Sequence, residues 1–197
     1  MSDAALIDGL SAGFEEPVHQ AQAGFRAVLS VLSRPGRVER LARPARAPAG
    51  LSPAAATVLA VLADLDTPVH LAGAGRAAEA FVAGSCGAPL AATTGDAAFA
   101  VVPAAGLLPL SRFAAGTADF PDRAATVIVE VSSLETGEVL TLSGPGIAGE
   151  TVLRVAGLPA GFKHAWADQR PDFPLGVDLL LCCGDRVAGL PRTVAIR

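Results

Sequence analysis

Between Pro17 and Leu32 the apolar residues Val18, Ala21, Phe25, Val28, Leu29 and Leu32 recur at spacings of three and four. That spacing predicts an amphipathic helix with one buried stripe. Pro17 suits its first turn, and Pro35-Gly36 stops it before an extended stretch at 37–41. Gln22, Arg26 and Ser33 form a polar stripe on the same helix. Ser52-Pro53 reads as an N-cap with proline in the first turn, and 54–63, apolar all round, as a buried helix. Residues 64–68 turn the chain into a strand at 69–71, with a helix at 75–83. The β-branched runs 98–102 and 126–131 predict interior strands, with a helix at 107–115 between them. Strands at 139–142 and 151–155, separated by the turn Ser143-Gly144-Pro145-Gly146, precede a helix at 159–168. Residues 177–182 and 186–190 flank Gly184-Asp185, which favours an antiparallel hairpin. The pattern predicts one α/β domain over 1–197, a mixed sheet with helices on both faces, with 1–16 flexible.

Composition narrows the classes. Of 197 residues 51% are hydrophobic and 17% charged, which excludes disorder as a description of the chain. A formal charge of -4 argues against nucleic acid, whose phosphates need a basic field. Cys86, Cys182 and Cys183 provide neither a disulfide framework nor zinc-ligand spacing, which fits a reducing compartment. No basic residue precedes Arg26, so no signal-peptide n-region is expected. The uncharged run 97–111 contains Pro103 and Pro109 and is shorter than the about 20 apolar residues of a bilayer span. A cytoplasmic protein with no membrane partner is expected.

Several outlines of chemistry lack their context. Gly9-Leu10-Ser11-Ala12-Gly13 matches GxSxG, but a nucleophile elbow needs a core strand before it. Gly73-Ala74-Gly75-Arg76-Ala77-Ala78 has the outline of a dinucleotide turn without the acidic partner at the end of the next strand. Lys163 is the one lysine; no P-loop surrounds it, and it reads as a surface residue. His19, His70 and His164 show no ligand spacing, and Asp64 with Asp66 lacks the rest of a calcium loop. No metal or cofactor is expected. Cys182 and Cys183 should point to opposite faces of a strand. Arg34, Arg37, Arg40, Arg43 and Arg46 recur every three residues with Glu39 alone opposing them, so this segment carries +4 and the remainder -8. It reads as a solvated rim before a phosphate- or partner-binding groove.

Three segments carry a resemblance: Ala21-Gln22-Ala23-Gly24-Phe25-Arg26 through Leu29, Leu32, Ser33, Pro35 and Gly36; Leu62 to Val69, with Asp64 and Asp66; and Phe173-Pro174-Leu175-Gly176-Val177-Asp178 through Leu190-Pro191-Arg192-Thr193. With Gly144-Pro145-Gly146-Ile147 between them, they resemble the PhnH family of the bacterial carbon–phosphorus lyase system over nearly the whole chain. Val194 stands where the family commonly has a second threonine, and the arginine ladder lies outside the family pattern. The resemblance implies a fold similar to the large domain of pyridoxal-phosphate (PLP)-dependent transferases without the PLP site. It also implies a cytoplasmic homodimer joined to PhnG, PhnI and PhnJ subunits. That complex helps convert ATP and an alkylphosphonate into a ribose 1-phosphonate 5-triphosphate, with the transferase and lyase chemistry in the partners.

Burial of Phe25, Leu29 and Leu32 would explain the apolar signature, at about 1.5–3 kcal/mol each. Arg26, on the flank of that stripe, needs a carboxylate, carbonyl or phosphate partner. The same question attaches to Arg192 and Asp178, and Ser33 and Asp66 complete the set of binding or structural candidates. With a two-residue hairpin turn, Asp178 faces Pro191 and not Arg192. The preferred reading is a non-catalytic scaffold subunit. The alternative is a subunit with its own nucleotide or phosphonate pocket, centred on Arg26, Arg192 and the glycine turns.

Overall fold

A computed structural model describes residues 3–42 and 44–197. Six strands form the main sheet in the order β1 (Val38–Arg40), β8 (Arg186–Leu190), β7 (Asp178–Cys183), β4 (Thr126–Glu130), β3 (Phe99–Pro103) and β2 (Val69–Leu71). β2, β3, β4 and β7 run parallel, and β8 and β1 close the edge antiparallel. The interior strands are apolar on both sides because both faces are covered. Val101, Ile128, Leu180 and Cys182 face one core, and Val102, Val127, Val129, Leu179 and Leu181 face the other.

The first face carries α2 (Pro17–Ser33), α3 (Pro53–Leu62) and α4 (Gly75–Gly84). Ser52 caps α3 as expected, its hydroxyl accepting from the Ala55 amide at 3.1 Å. Gly24 lets α2 and α3 meet closely: a Cβ there would lie 2.8 Å from Thr57 Cγ2. The second face is only partly helical. A three-stranded sheet, β6 (Thr151–Ala156), β5 (Ser133–Ser143) and β9 (Ala195–Ile196), covers it with α5 (Phe162–Asp168). Buried Trp166 of α5 donates from Nε1 to the Val194 carbonyl at 2.9 Å, tying the C-terminal strand down.

Three expectations need correction. The helix expected at 107–115 is absent; that span holds one short 3-10 turn, Leu110–Arg112, and another, Ala104–Gly106, precedes it. Residues 3–10, expected within a flexible segment, form α1 (Asp3–Leu10), which packs on α4 through buried Gly9. The buried face of α2 is also only partly the one read from the spacing: it consists of Gln20, Gly24, Val28 and Val31, with Leu32 packed against the core, so Val28 and Leu32 of the expected stripe face inward. Val18, Phe25 and Leu29 face outward at 78%, 43% and 51% exposure.

Candidate functional site

Asp178 begins β7 and Arg192 follows β8, so the hairpin that sets them together is closed by Gly184-Asp185. The register pairs Leu179 with Leu190 and Cys183 with Arg186, which puts Pro191 opposite Asp178 as expected. Arg192 nevertheless folds back onto the carboxylate. Its backbone amide donates to Asp178 Oδ1 at 2.7 Å, Nε contacts both carboxylate oxygens at 3.2 Å, and Nη2 donates to Oδ2 at 2.5 Å. Nη1 donates to the carbonyls of Pro121 and Pro174, each at 3.2 Å. All three guanidinium nitrogens are therefore engaged by the frame, with 14% of the arginine side chain and 24% of the aspartate exposed. Beside this node the Gln169 side chain accepts from the Val177 amide at 2.9 Å. FPLGxD and PRT thus form one structural clasp.

The first signature divides between two tasks. Its C-terminal end is a joint: Ser33 donates to the Ser30 carbonyl at 3.2 Å, and Gly146 sits so close to the Ser33 carbonyl that no side chain fits. Gly36, at φ 93°, packs on Thr151. Its middle is open. Arg26 is exposed and has no hydrogen-bond or ionic partner among the described residues. It lines a groove of about 460 Å³ with Arg34, Arg37, Arg40 and Glu39. Arg34 touches the Ser30 hydroxyl at 3.3 Å, Arg37 touches Glu39 at 3.3 Å, and Arg40 pairs with Asp185 at 2.7 Å. That pairing raises the Arg40 pKa and lowers that of Asp185. The ladder is not one patch. Arg46 turns away to Ser11 and Asp8 of α1, and Arg43 lies outside the described residues.

The remaining candidates are dispersed. Asp66 is exposed in the turn before β2, its amide donating to Asp64 Oδ1 at 3.0 Å. Ser11 follows α1 and donates to the Ile7 carbonyl at 2.6 Å, with a helix and not a strand leading into it. Lys163 is held by the Val139 carbonyl at 3.0 Å and by Glu138 at 3.2 Å. Gly73 and Gly75, at φ 74° and 82°, make a tight turn from β2 into α4. Cys182 and Cys183 face opposite cores; burial pushes the Cys182 thiol well up and Cys86 to about 12. Among the described residues no group of three metal-ligating side chains converges.

Glu130 escaped the sequence reading. It ends β4 at the carboxyl edge of the parallel strands, where open α/β sheets usually receive ligands. Its Oε1 accepts from the Ser52 amide at 2.8 Å, and burial raises its pKa. The available signal was a carboxylate closing a β-branched run. A mostly apolar cleft of about 350 Å³ lined by Pro109, Leu110, Gln169 and Leu175 lies at the opposite, amino edge.

These features define a mixed α/β protein whose motif residues mostly lock its frame, with one outward apolar helix face and one basic groove. The chain belongs to the PhnH family: the family model "Bacterial phosphonate metabolism protein (PhnH)" matches residues 12–197. It is 39% identical over 189 residues, 94% of each chain, to the alpha-D-ribose 1-methylphosphonate 5-triphosphate synthase subunit PhnH of Rhizobium meliloti. It is also 34% identical over 179 residues, 89% of this chain and 85% of the relative, to HtxG of Stutzerimonas stutzeri, which is provisionally designated a C-P lyase subunit.

Proposed function

We propose that this chain is a single-domain scaffold subunit of the assembly that makes alpha-D-ribose 1-methylphosphonate 5-triphosphate from ATP and methylphosphonate in organophosphonate catabolism. The observation that carries the reading is the near full-length match to a relative named as a subunit of that synthase. The engagement of Asp178, Arg192 and Ser33 by the frame supports a structural role for the motif residues. PhnG, PhnI and PhnJ type subunits would be the partners and supply the transferase and lyase chemistry, in the cytoplasm. No helix among the described residues is long and apolar enough to cross a membrane. The sheet covered on both faces fits a fold like the large domain of PLP-dependent transferases lacking the cofactor site.

The subunit is a homodimer in this reading, paired through α2. Val18, Phe25 and Leu29 form an outward stripe spanning about 16 Å of helix. Two copies laid antiparallel set Val18 of one against Leu29 of the other, the self-complementary contact a two-fold axis requires.

The test is a tagged copy expressed in its own host with methylphosphonate as sole phosphorus source, followed by native mass of what copurifies. Several different chains bound to a dimer of this one support the proposal; a lone chain, reproducibly free of partners at low salt, overturns it. Phe25→Asp with Leu29→Asp should yield a folded monomer, because exposed substitutions cost within about 0.5 kcal/mol each.

A further inference from the structure

We propose that the groove between α2 and β1 is a binding site for a polyphosphate chain. Arg26, Arg34, Arg37 and Arg40 line it against a single lining carboxylate, Glu39. Their engagement is uneven. Arg40 is neutralised from the rim by Asp185 and Arg37 is half-neutralised by Glu39. Arg34 reaches only the neutral Ser30 hydroxyl, and Arg26 reaches no partner among the described residues. Guanidinium donors presented to an open groove without carboxylates are suited to phosphate oxygens, which they bind in charge-assisted, often bidentate pairs.

Spacing selects the ligand class. Arg37 and Arg40 are three residues apart on extended backbone, about 10 Å, and Arg26 and Arg34 are eight apart on a helix, about 12 Å. Those spans exceed one phosphate and suit a chain of two or three. The volume of about 460 Å³ lies within the range of small-ligand sites. Gly24, Ala27 and Leu41 give the groove walls without competing charge. The groove is also separate from the α2 stripe. Of its helical positions, Ala23, Ala27 and Ser30 lie about four-tenths of a turn round from Val18, Phe25 and Leu29, and Arg26 about a quarter of a turn, so a dimer through the stripe leaves the groove open.

The site rests on the groove and not on the assembly, so the two proposals fail separately. Calorimetric titration of the purified full chain with inorganic triphosphate, ATP, inorganic phosphate and methylphosphonate tests it. Saturable binding of inorganic triphosphate and ATP with similar affinity is expected, with inorganic phosphate and methylphosphonate far weaker. Affinity should fall steeply with salt. Arg26→Ala with Arg34→Ala should weaken triphosphate binding by about tenfold or more. Glu39→Gln removes the opposing charge and should tighten it. No triphosphate binding at low salt, or binding that neither variant changes, overturns the proposal, as does ATP binding without triphosphate binding. An unchanged Tm of the double arginine variant shows that any loss of binding is local to the groove.

Discussion

Arg192→Ala tests whether the PRT element binds a ligand or braces the fold. In the structure this guanidinium makes a bidentate pair with Asp178 and donates to the carbonyls of Pro121 and Pro174. Truncation leaves Asp178 with only the residue-192 backbone amide and removes the donor to the Pro174 carbonyl, while the Pro121 carbonyl keeps the Ala124 amide. Removing one member of a fully buried pair costs about 3–5 kcal/mol. With 14% and 24% of the two side chains exposed, water returns part of this, and about 2–4 kcal/mol is expected. For a chain of this length each kcal/mol lowers Tm by about 2–4 °C, so thermal unfolding should shift down by about 5–15 °C. Arg192→Lys keeps the charge but loses the fork and should fall between. Arg192→Met with Asp178→Leu leaves no orphaned charge and should recover much of the loss. Scanning calorimetry of the parent and the three variants ranks these losses. An alanine variant with unchanged Tm that still assembles, yet whose complex is inactive, would refute the bracing argument and make Arg192 a ligand contact.

Three further outcomes follow from packing and burial. Burial raises the Glu130 pKa, so the folded state holds that proton more tightly than the unfolded chain does. Its contribution therefore favours folding at low pH and is lost as pH rises from the ordinary carboxylate value through the raised one. Glu130→Gln keeps an acceptor for the Ser52 amide and should flatten that slope in a Tm-against-pH series, with Tm at pH 7 no lower than in the parent; an unchanged slope would contradict the assignment. Gly24→Ala forces a methyl against Thr57 Cγ2 and should cost about 1–3 kcal/mol in denaturant unfolding; a neutral result would mean α2 and α3 separate easily. Trp166→Phe removes the donor to the Val194 carbonyl and leaves a void in the second core. It should cost about 2–4 kcal/mol, and intact stability would show that the C-terminal strand is held by other contacts.

Local pattern settled much of this protein. The hairpin of β7 and β8 was legible because Gly184-Asp185 allows one short turn, and its register followed by counting. Ser52-Pro53 announced α3 because the cap is a local hydrogen bond. The family motifs carried the identification, although no spacing rule revealed that Asp178 and Arg192 form a clasp: a side chain one residue out of register reached back across the hairpin end. The tight fit of Gly146 on the Ser33 carbonyl likewise joins segments more than a hundred residues apart.

Tertiary structure decided the rest. Leu107, Leu110 and Phe113 are spaced by three, which suits short 3-10 turns packed on the core as well as a helix, and Pro109 interrupts the longer ladder. β5 was under-read because its middle, 135–139, is exposed and gives no apolar run. Helix α2 carries two apolar sectors, and periodicity cannot say which faces inward. Gly24 decides it, since the sector with the smallest side chain permits the closest approach to α3, leaving Val18, Phe25 and Leu29 outside. Sequence therefore specified most of the elements, because capping, turns and periodicity are local. Which helix face meets a partner and which arginines share a groove depended on how those elements pack, because close approach and charge convergence arise only between distant segments.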